Sequence, residues 1–189
     1  MSARARAFAL VWLFVLSGCA EMEFERAIDS RGFELSGRIA VRYGEEAASG
    51  QLRWRHDREG DEMLISSPLG QGIARIQRAG DRVTLTTADG SQYRAQDAES
   101  LTQRVLGYRV PLDGLADWVR ARPSAQLQGA AQVQRDAQGR LQVLEQAGWH
   151  IDYLAYAPDS GLPTRLRLTY PAIELRLAIA DWRVAPATD

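Results

Sequence analysis

Hydrophobic and polar positions alternate along most of this chain. Phe33, Leu35, Ile39, Val41 and Tyr43 alternate with Glu34, Ser36, Arg38 and Arg42. A period of two predicts a strand with one apolar face and one wet face. After a connection over residues 44–50, Leu52, Trp54 and His56 alternate with Gln51, Arg53, Arg55 and Asp57. This second strand is expected to pair antiparallel with the first. A third strand is predicted over residues 61–67 and a fourth over 73–77, joined by Ser67-Pro68-Leu69-Gly70-Gln71-Gly72. Pro68 and the two glycines are turn residues, which leaves Leu69 as the one large apolar side chain at the apex. Gly80-Asp81 and Asp89-Gly90 are hairpin signals bracketing Val83, Leu85 and Thr87, the second of the strongest two-residue type. Tyr93 closes this run.

The period then changes. Asp97 is placed as an N-cap, Glu99 falls in a first turn, Ala98, Leu101 and Val105 share a helix face, and Gly107 is placed to end it. Leu112, Leu115, Trp118 and Val119 predict a second short helix, with Arg120 and Arg122 in its last turn and Pro123 as a stop. Strands resume from about Leu127. They include 132–135 and 141–146 around a turn at Asp136-Ala137-Gln138-Gly139, then runs centred on Ile151, Leu168 and Leu175, ending at Asp181-Trp182. The prediction is mainly β, with about ten or eleven antiparallel strands and two or three short helices. Each strand has a single apolar face, so a flat sheet would expose a large oily surface. A sheet curled into a closed or half-open barrel, with the helices as a cover, buries it.

The chain opening adds an address. Arg4 and Arg6 precede an apolar run over residues 7–16, followed by Leu16-Ser17-Gly18-Cys19. This is the pattern of a lipoprotein signal peptide over residues 1–18, too short to span a bilayer, with Cys19 as the acylated residue. The alternative is an ordinary secretory signal with an incidental cysteine. Ala20, where Asp would resemble an inner-membrane retention signal, points to the outer membrane, facing the periplasm. Residues 19–32 read as a lipidated tether and 33–189 as a single domain. Without residues 1–18, 171 of the 189 residues remain, enough for one ordinary core. Two or more acyl chains on Cys19 would exceed the single-chain threshold for stable anchoring.

Charge and composition mostly exclude. Acidic residues outnumber basic ones, so a nucleic-acid partner is not expected. Every basic residue is Arg, so P-loop, Schiff-base and general-base lysines are absent from the sequence. His56 and His150 lack metal-ligand spacing and Cys19 is the only cysteine, which argues against zinc. His56 with Asp57 and His150 with Asp152 could be base and orienter, but no serine stands in a nucleophile elbow. Gly70-Gln71-Gly72 has no following helix to cradle a phosphate. No catalytic residue, metal or cofactor is therefore assigned. The remaining residues are apolar: Trp54, Trp118, Trp149 and Trp182, with Tyr43, Tyr93, Tyr153, Tyr156 and Tyr170, mostly on inward registers. They suit a packed core, which spacing alone favours, or a lipid-binding cavity.

A set of motifs runs in order from Phe33 to Trp182: Phe33-x-Leu35-x-Gly37-Arg38-Ile39-Ala40-Val41, Leu52-x-Trp54, Ser67-Pro68-Leu69-Gly70, Tyr93-x-Ala95-x-Asp97-Ala98-Glu99, Gly107-x-x-x-Pro111-Leu112-x-x-Leu115-x-x-Trp118, Gly148-Trp149-x-Ile151-x-Tyr153 and Asp181-Trp182. This pattern resembles the LolB family of outer-membrane lipoprotein receptors. The resemblance implies a half-open antiparallel barrel with a helical lid, whose apolar cavity takes the acyl chains of lipoproteins from the periplasmic carrier LolA and releases them into the outer membrane. Trp54, Trp118, Trp149, Tyr153 and Trp182 are the candidate lining. It also implies that Leu69, in the Pro68-Leu69-Gly70 loop, protrudes and helps insert cargo, where turn chemistry alone would read a packed hairpin residue. A monomer suffices for such a tethered receptor. The competing expectation is a lipid- or lipoprotein-binding sensor or structural lipoprotein of the same fold, without transfer.

Overall fold

The computed structural model describes residues 32–106, 110 and 112–184. The expected signal peptide, Cys19, Gly107 and the tether up to residue 31 lie outside the described residues. Eleven strands and two helices are described: β1 (Phe33–Tyr43), β2 (Glu46–His56), β3 (Gly60–Ser66), β4 (Gly72–Ala79), β5 (Arg82–Thr87), β6 (Gln92–Ala95), α1 (Ala98–Leu106), α2 (Leu112–Trp118), β7 (Gln132–Arg135), β8 (Leu141–Gln146), β9 (Trp149–Tyr156), β10 (Pro163–Tyr170) and β11 (Ile173–Val184). They form one sheet in the order β6-β5-β4-β3-β2-β1-β11-β10-β9-β8-β7, antiparallel throughout. Two meanders therefore meet along β1 and β11, with Phe33 opposite Val184 and Tyr43 opposite Ile173. The edge strands β6 and β7 do not pair, while inner-face residues of both meanders and both helices share one core. This is the expected mainly β half-barrel, curled but not closed.

Local chemistry explains most boundaries and corrects a few. Residues 44–50 are not a connection: β2 starts at Glu46 and pairs with β1 along its whole length, so the turn is only Gly44-Glu45. Ala47, Ala48, Ser49 and Gly50 carry no hydrophobic alternation, so their strand character was invisible to periodicity. Asp89-Gly90 is part of a three-residue loop, closed by Thr87 N–H to the Ser91 carbonyl and Gly90 N–H to the Thr87 carbonyl. Asp97 caps α1 as expected, accepting the Ser100 N–H at 2.6 Å. Helix α2 ends at Trp118, so Arg120 and Arg122 lie beyond it. The chain leaves α2 through Ala121, whose φ of 55° is a left-handed conformation usually given to glycine. Regular pairing resumes at Gln132 and not at Leu127.

At the Phe33 end the barrel is filled. Phe33 packs edge-on against Trp54 and Trp182, with ring centroids 5.0 and 5.5 Å apart, and stacks on His56. Gly37 is required beside them: a Cβ there would lie 2.2 Å from the Ala178 carbonyl oxygen, at the bulge where β1 crosses β11. Asp61 is the buried charge of this end. Its carboxylate accepts Trp54 Nε1–H at 2.8 Å and Arg78 Nε–H at 2.7 Å, and lies 2.7 Å from His56 Nδ1. Burial alone would raise the Asp61 pKa, but His56 and Arg78 outweigh it and hold the group below its ordinary 3.8. A second clasp fixes the segment after α2: the Gln146 side-chain oxygen accepts from Trp118 Nε1–H and the Ser124 N–H, and its amide donates to the Ser124 carbonyl at 2.7 Å. Among the described residues no buried side-chain polar atom lacks a partner.

Two outcomes follow for stability. Ala121→Gly should stabilise the fold by about 1 kcal/mol by removing the left-handed Cβ clash, read as a higher melting temperature. Asp61→Asn should cost about 3 kcal/mol in chemical denaturation at neutral pH, because Arg78 and His56 lose their carboxylate. Asp61 titrates lower folded than unfolded, so its contribution is present above 3.8 and lost as pH falls through the folded pKa. The gap between parent and variant should therefore close on acidification.

Candidate hydrophobic ligand site

Toward the Tyr43 end of β1 the interior opens. Phe33 and Leu35 are fully buried, Ile39 and Val41 only half-buried, and Tyr43 is 38% exposed. The space they border is a cavity of about 480 Å³, within the roughly 300–1,000 Å³ of small-molecule sites. Strands β1–β5 supply Ile39, Val41, Ile65, Ala74, Ile76, Val83 and Leu85, and the helical side supplies Ala98, Leu101, Thr102 and Leu112. Its one buried hydroxyl, Thr102, is spoken for: Oγ1 donates to the Ala98 carbonyl and accepts the Val110 N–H, both at 2.9 Å. The walls are mostly hydrocarbon, with Tyr43, Glu46, Ser49 and Thr87 as the other polar side chains of the lining.

Strand β2 explains why this side is hollow. Its inward positions run Ala48, Gly50, Leu52, Trp54, a series that widens the interior from the tryptophan end toward the Glu46 end. Ala48 lies opposite Val41 and Gly50 opposite Ile39, so small residues stand where large ones would fill the gap. Gly50 cannot be enlarged, since a Cβ would lie 2.7 Å from the Ser66 carbonyl oxygen.

The nominated aromatics are elsewhere. None of Trp54, Trp118, Trp149, Tyr153 and Trp182 lines this cavity. Trp54 belongs to the Asp61 network and Trp118 to the Gln146 clasp. Trp149 is wedged between Trp118 and Tyr170, at 5.9 and 5.2 Å. The Tyr153 hydroxyl donates to the Trp118 carbonyl at 2.8 Å, and burial, with Tyr156 nearby, pushes its pKa well up. Trp182 Nε1–H donates to the Pro163 carbonyl at 2.9 Å. Large polar-tipped rings fill space and tie strands together, whereas the hollow is marked by small residues. The signal that could have found it was the Ala47-Ala48-Ser49-Gly50 run.

Pro68, Leu69 and Gly70 form the three-residue loop joining β3 to β4, closed by Ser67 N–H to the Gln71 carbonyl at 2.8 Å and Gly70 N–H to the Ser67 carbonyl at 2.9 Å. Gly70 takes the left-handed position of this loop, φ 84°. The Leu69 side chain is 89% exposed, the most exposed large hydrophobic of the described residues. Both arms of the hairpin, at Ile65 and at Ile73-Ala74, border the cavity, so Leu69 projects from its rim.

A half-open barrel with an apolar hollow, walled on one side by helices and carrying a projecting leucine at its rim, has the shape of a hydrophobic-ligand-binding protein. Residues 31–182 match the family model described as outer membrane lipoprotein LolB. The chain is 40% identical over 186 residues to the outer-membrane lipoprotein LolB of an Azoarcus species, covering 94% of each protein. It is 38% identical over 183 residues to that of Thiobacillus denitrificans, covering 94% of this chain and 96% of the relative. A DUF1329 family protein from Desulfovibrio piger shares the fold at a TM-score of 0.56 and 7% identity, over 85% of this chain and 88% of that one. The chain belongs to the LolB family of outer membrane lipoproteins.

Ala48→Phe should fill the wide end of the cavity without disturbing the Phe33 end. Binding of a fluorescent fatty-acid analogue should weaken about tenfold, in line with the roughly 1–3 kcal/mol of overpacking, while the circular dichroism spectrum is unchanged.

Proposed function

We propose that this protein, anchored in the outer membrane through acylated Cys19, accepts lipoproteins from the periplasmic carrier LolA and passes them into the bilayer. The observation that carries the reading is the apolar hollow with Leu69 at its rim. Cargo acyl chains enter the space between β1–β5 and the helices. Each CH₂ kept from water is worth about 0.8 kcal/mol, so chains stay covered during transfer and leave only for a more favourable apolar phase. The bilayer is that phase. The reaction is a partition between three hydrocarbon environments, and it needs no bond chemistry, nucleotide or metal. The helical side acts as the lid, since α1 and α2 contribute the wall of the cavity that strands do not. Wet-face charges near the mouth steer the carrier. The receptor works as a monomer.

The three-residue loop presents Leu69 on a hydrogen-bonded base, so the side chain reaches the bilayer without ordering a flexible segment. Leu69→Glu replaces about 1.5–3 kcal/mol of apolar insertion with a charge. Transfer of a lipoprotein from LolA to the protein should continue, while its delivery into liposomes falls at least about tenfold. Delivery at the parental rate would sink the insertion role.

A further inference from the structure

The outer face of the sheet carries a second concavity, a groove of about 760 Å³ over the join of β1, β11 and β10. Arg38, Arg165, Arg167 and Arg176 line it. The register sets them around a floor of small residues. Arg38 on β1 and Arg165 on β10 both lie opposite Ala178, one on each side, and Arg176 lies opposite Ala40 on one side and Arg167 on the other. Strands are about 4.8 Å apart, so the four guanidinium groups converge on a space of two or three strand widths.

Like charges directly opposite one another destabilise a sheet, and Arg167 with Arg176 is such a pair. Each has one carboxylate: Arg167 lies 2.9 Å from Asp152 and Arg176 2.8 Å from Glu174. Arg38 and Arg165 have no ion pair among the described residues, and both are exposed. Four arginines therefore line the groove, two of them neutralised by carboxylates outside its lining, in a chain of net charge −1. Its two ends are apolar. Leu154, 57% exposed, lines one end, and Pro68 lines the other, where Gln51 Nε2–H donates to the Pro68 carbonyl at 3.3 Å. The same loop carries Leu69.

We propose that this groove binds the phosphate of an anionic phospholipid headgroup, with Leu69 and Leu154 resting against the acyl region on either side. Guanidinium forks match a phosphate's oxygens in paired hydrogen bonds, and the alanine floor lets a compact group sit between Arg38 and Arg165. Exposed Leu154 at one end, and the Pro68 loop that carries Leu69 at the other, suit hydrocarbon, which an acidic protein surface does not offer. The outer face of the β1–β11–β10 join thus lies on the leaflet that receives the cargo, holding the cavity rim at the headgroup level. This rests on the reading of the Leu69 loop as the part that meets the bilayer.

The test uses the acylated full chain with a nitroxide on Leu154→Cys, reconstituted in vesicles of phosphatidylcholine with or without phosphatidylglycerol. Collisions of the label with an aqueous relaxing agent report docking. The label should be sheltered only in the phosphatidylglycerol vesicles, and high salt should expose it. Arg38→Gln with Arg165→Gln should lower the docked population about thirty-fold, at roughly 1 kcal/mol per arginine near an anionic surface, and the Lys double variant should restore much of it. Equal shelter in both vesicle types, or shelter kept by the Gln double variant, overturns the proposal. So does loss of association with LolA in that variant while shelter persists, which would make the groove a docking face for an acidic protein. Leu69→Glu separates the two readings: normal cargo delivery by that variant defeats the insertion role, and the arginine dependence of the Leu154 label is scored on its own.

Discussion

The inner face of this sheet is apolar from β5 round to β8, yet its edge strands β6 and β7 never meet. An unpaired gap would leave both the edges and the oily face open to water. The segment between those two strands has to span the gap, and it does so as α1, α2 and the irregular residues after them. Everything that fixes this bridge is specific. Trp118 and Ser124 are clasped by Gln146, the Tyr153 hydroxyl holds the Trp118 carbonyl, and Thr102 holds Val110. The hydrogen bonds that clasp the bridge run to the β8–β9 side, whereas on the other side Arg120 lies over the Phe33 ring of β1 at 5.1 Å and both helices face the cavity. The hollow lies between β1–β5 and the two helices, away from the Gln146 clasp.

The division between filled and hollow interior follows side-chain volume. Where tryptophan and phenylalanine occupy inward registers, rings meet at 5–6 Å and their N–H groups are consumed by Asp61, Gln146 and the Pro163 carbonyl. Where Ala48, Gly50 and Ala74 occupy the same registers, space is left over. Protein interiors normally close such gaps, because an empty apolar volume forfeits dispersion contacts. A hollow kept open on one side of an otherwise tight core is thus a cost borne by the fold, and its mostly hydrocarbon walls suit an apolar chain.

This explains what could be read from the chain and what could not. Alternation in Ile173, Leu175, Leu177 and Ile179 fixed β11, Asp97 fixed the start of α1, and one-sided strands without enough helices to cover them required a curled sheet. Glu46 to Gly50 was missed because pairing with β1 supplies the strand character that small residues do not advertise. The aromatic residues could not be sorted from sequence for the complementary reason. Large rings on inward registers are equally compatible with a lining and a filling, and only their partners decide, which are residues far away in sequence such as Gln146 for Trp118. Leu69 was legible as an apex from Pro68 and Gly70. Its full projection and its place on the cavity rim needed the register of β3 with β4.

The seam between β1 and β11 also governs how the chain reaches this state. Each meander, β1 to β6 and β7 to β11, is built from neighbouring hairpins that close over short loops. The seam instead joins residue 33 to residue 184, and the apolar faces of both halves stay incomplete until it forms. Contacts of such sequence separation are slow to find, since closure entropy precedes any gain. The first meander is therefore a half-finished surface that waits for β11, with its hydrophobic side unshielded during the interval. In an export compartment this makes assembly a step that follows arrival of the C-terminal strand, and it makes the unjoined N-terminal half the species that chaperones and proteases would meet.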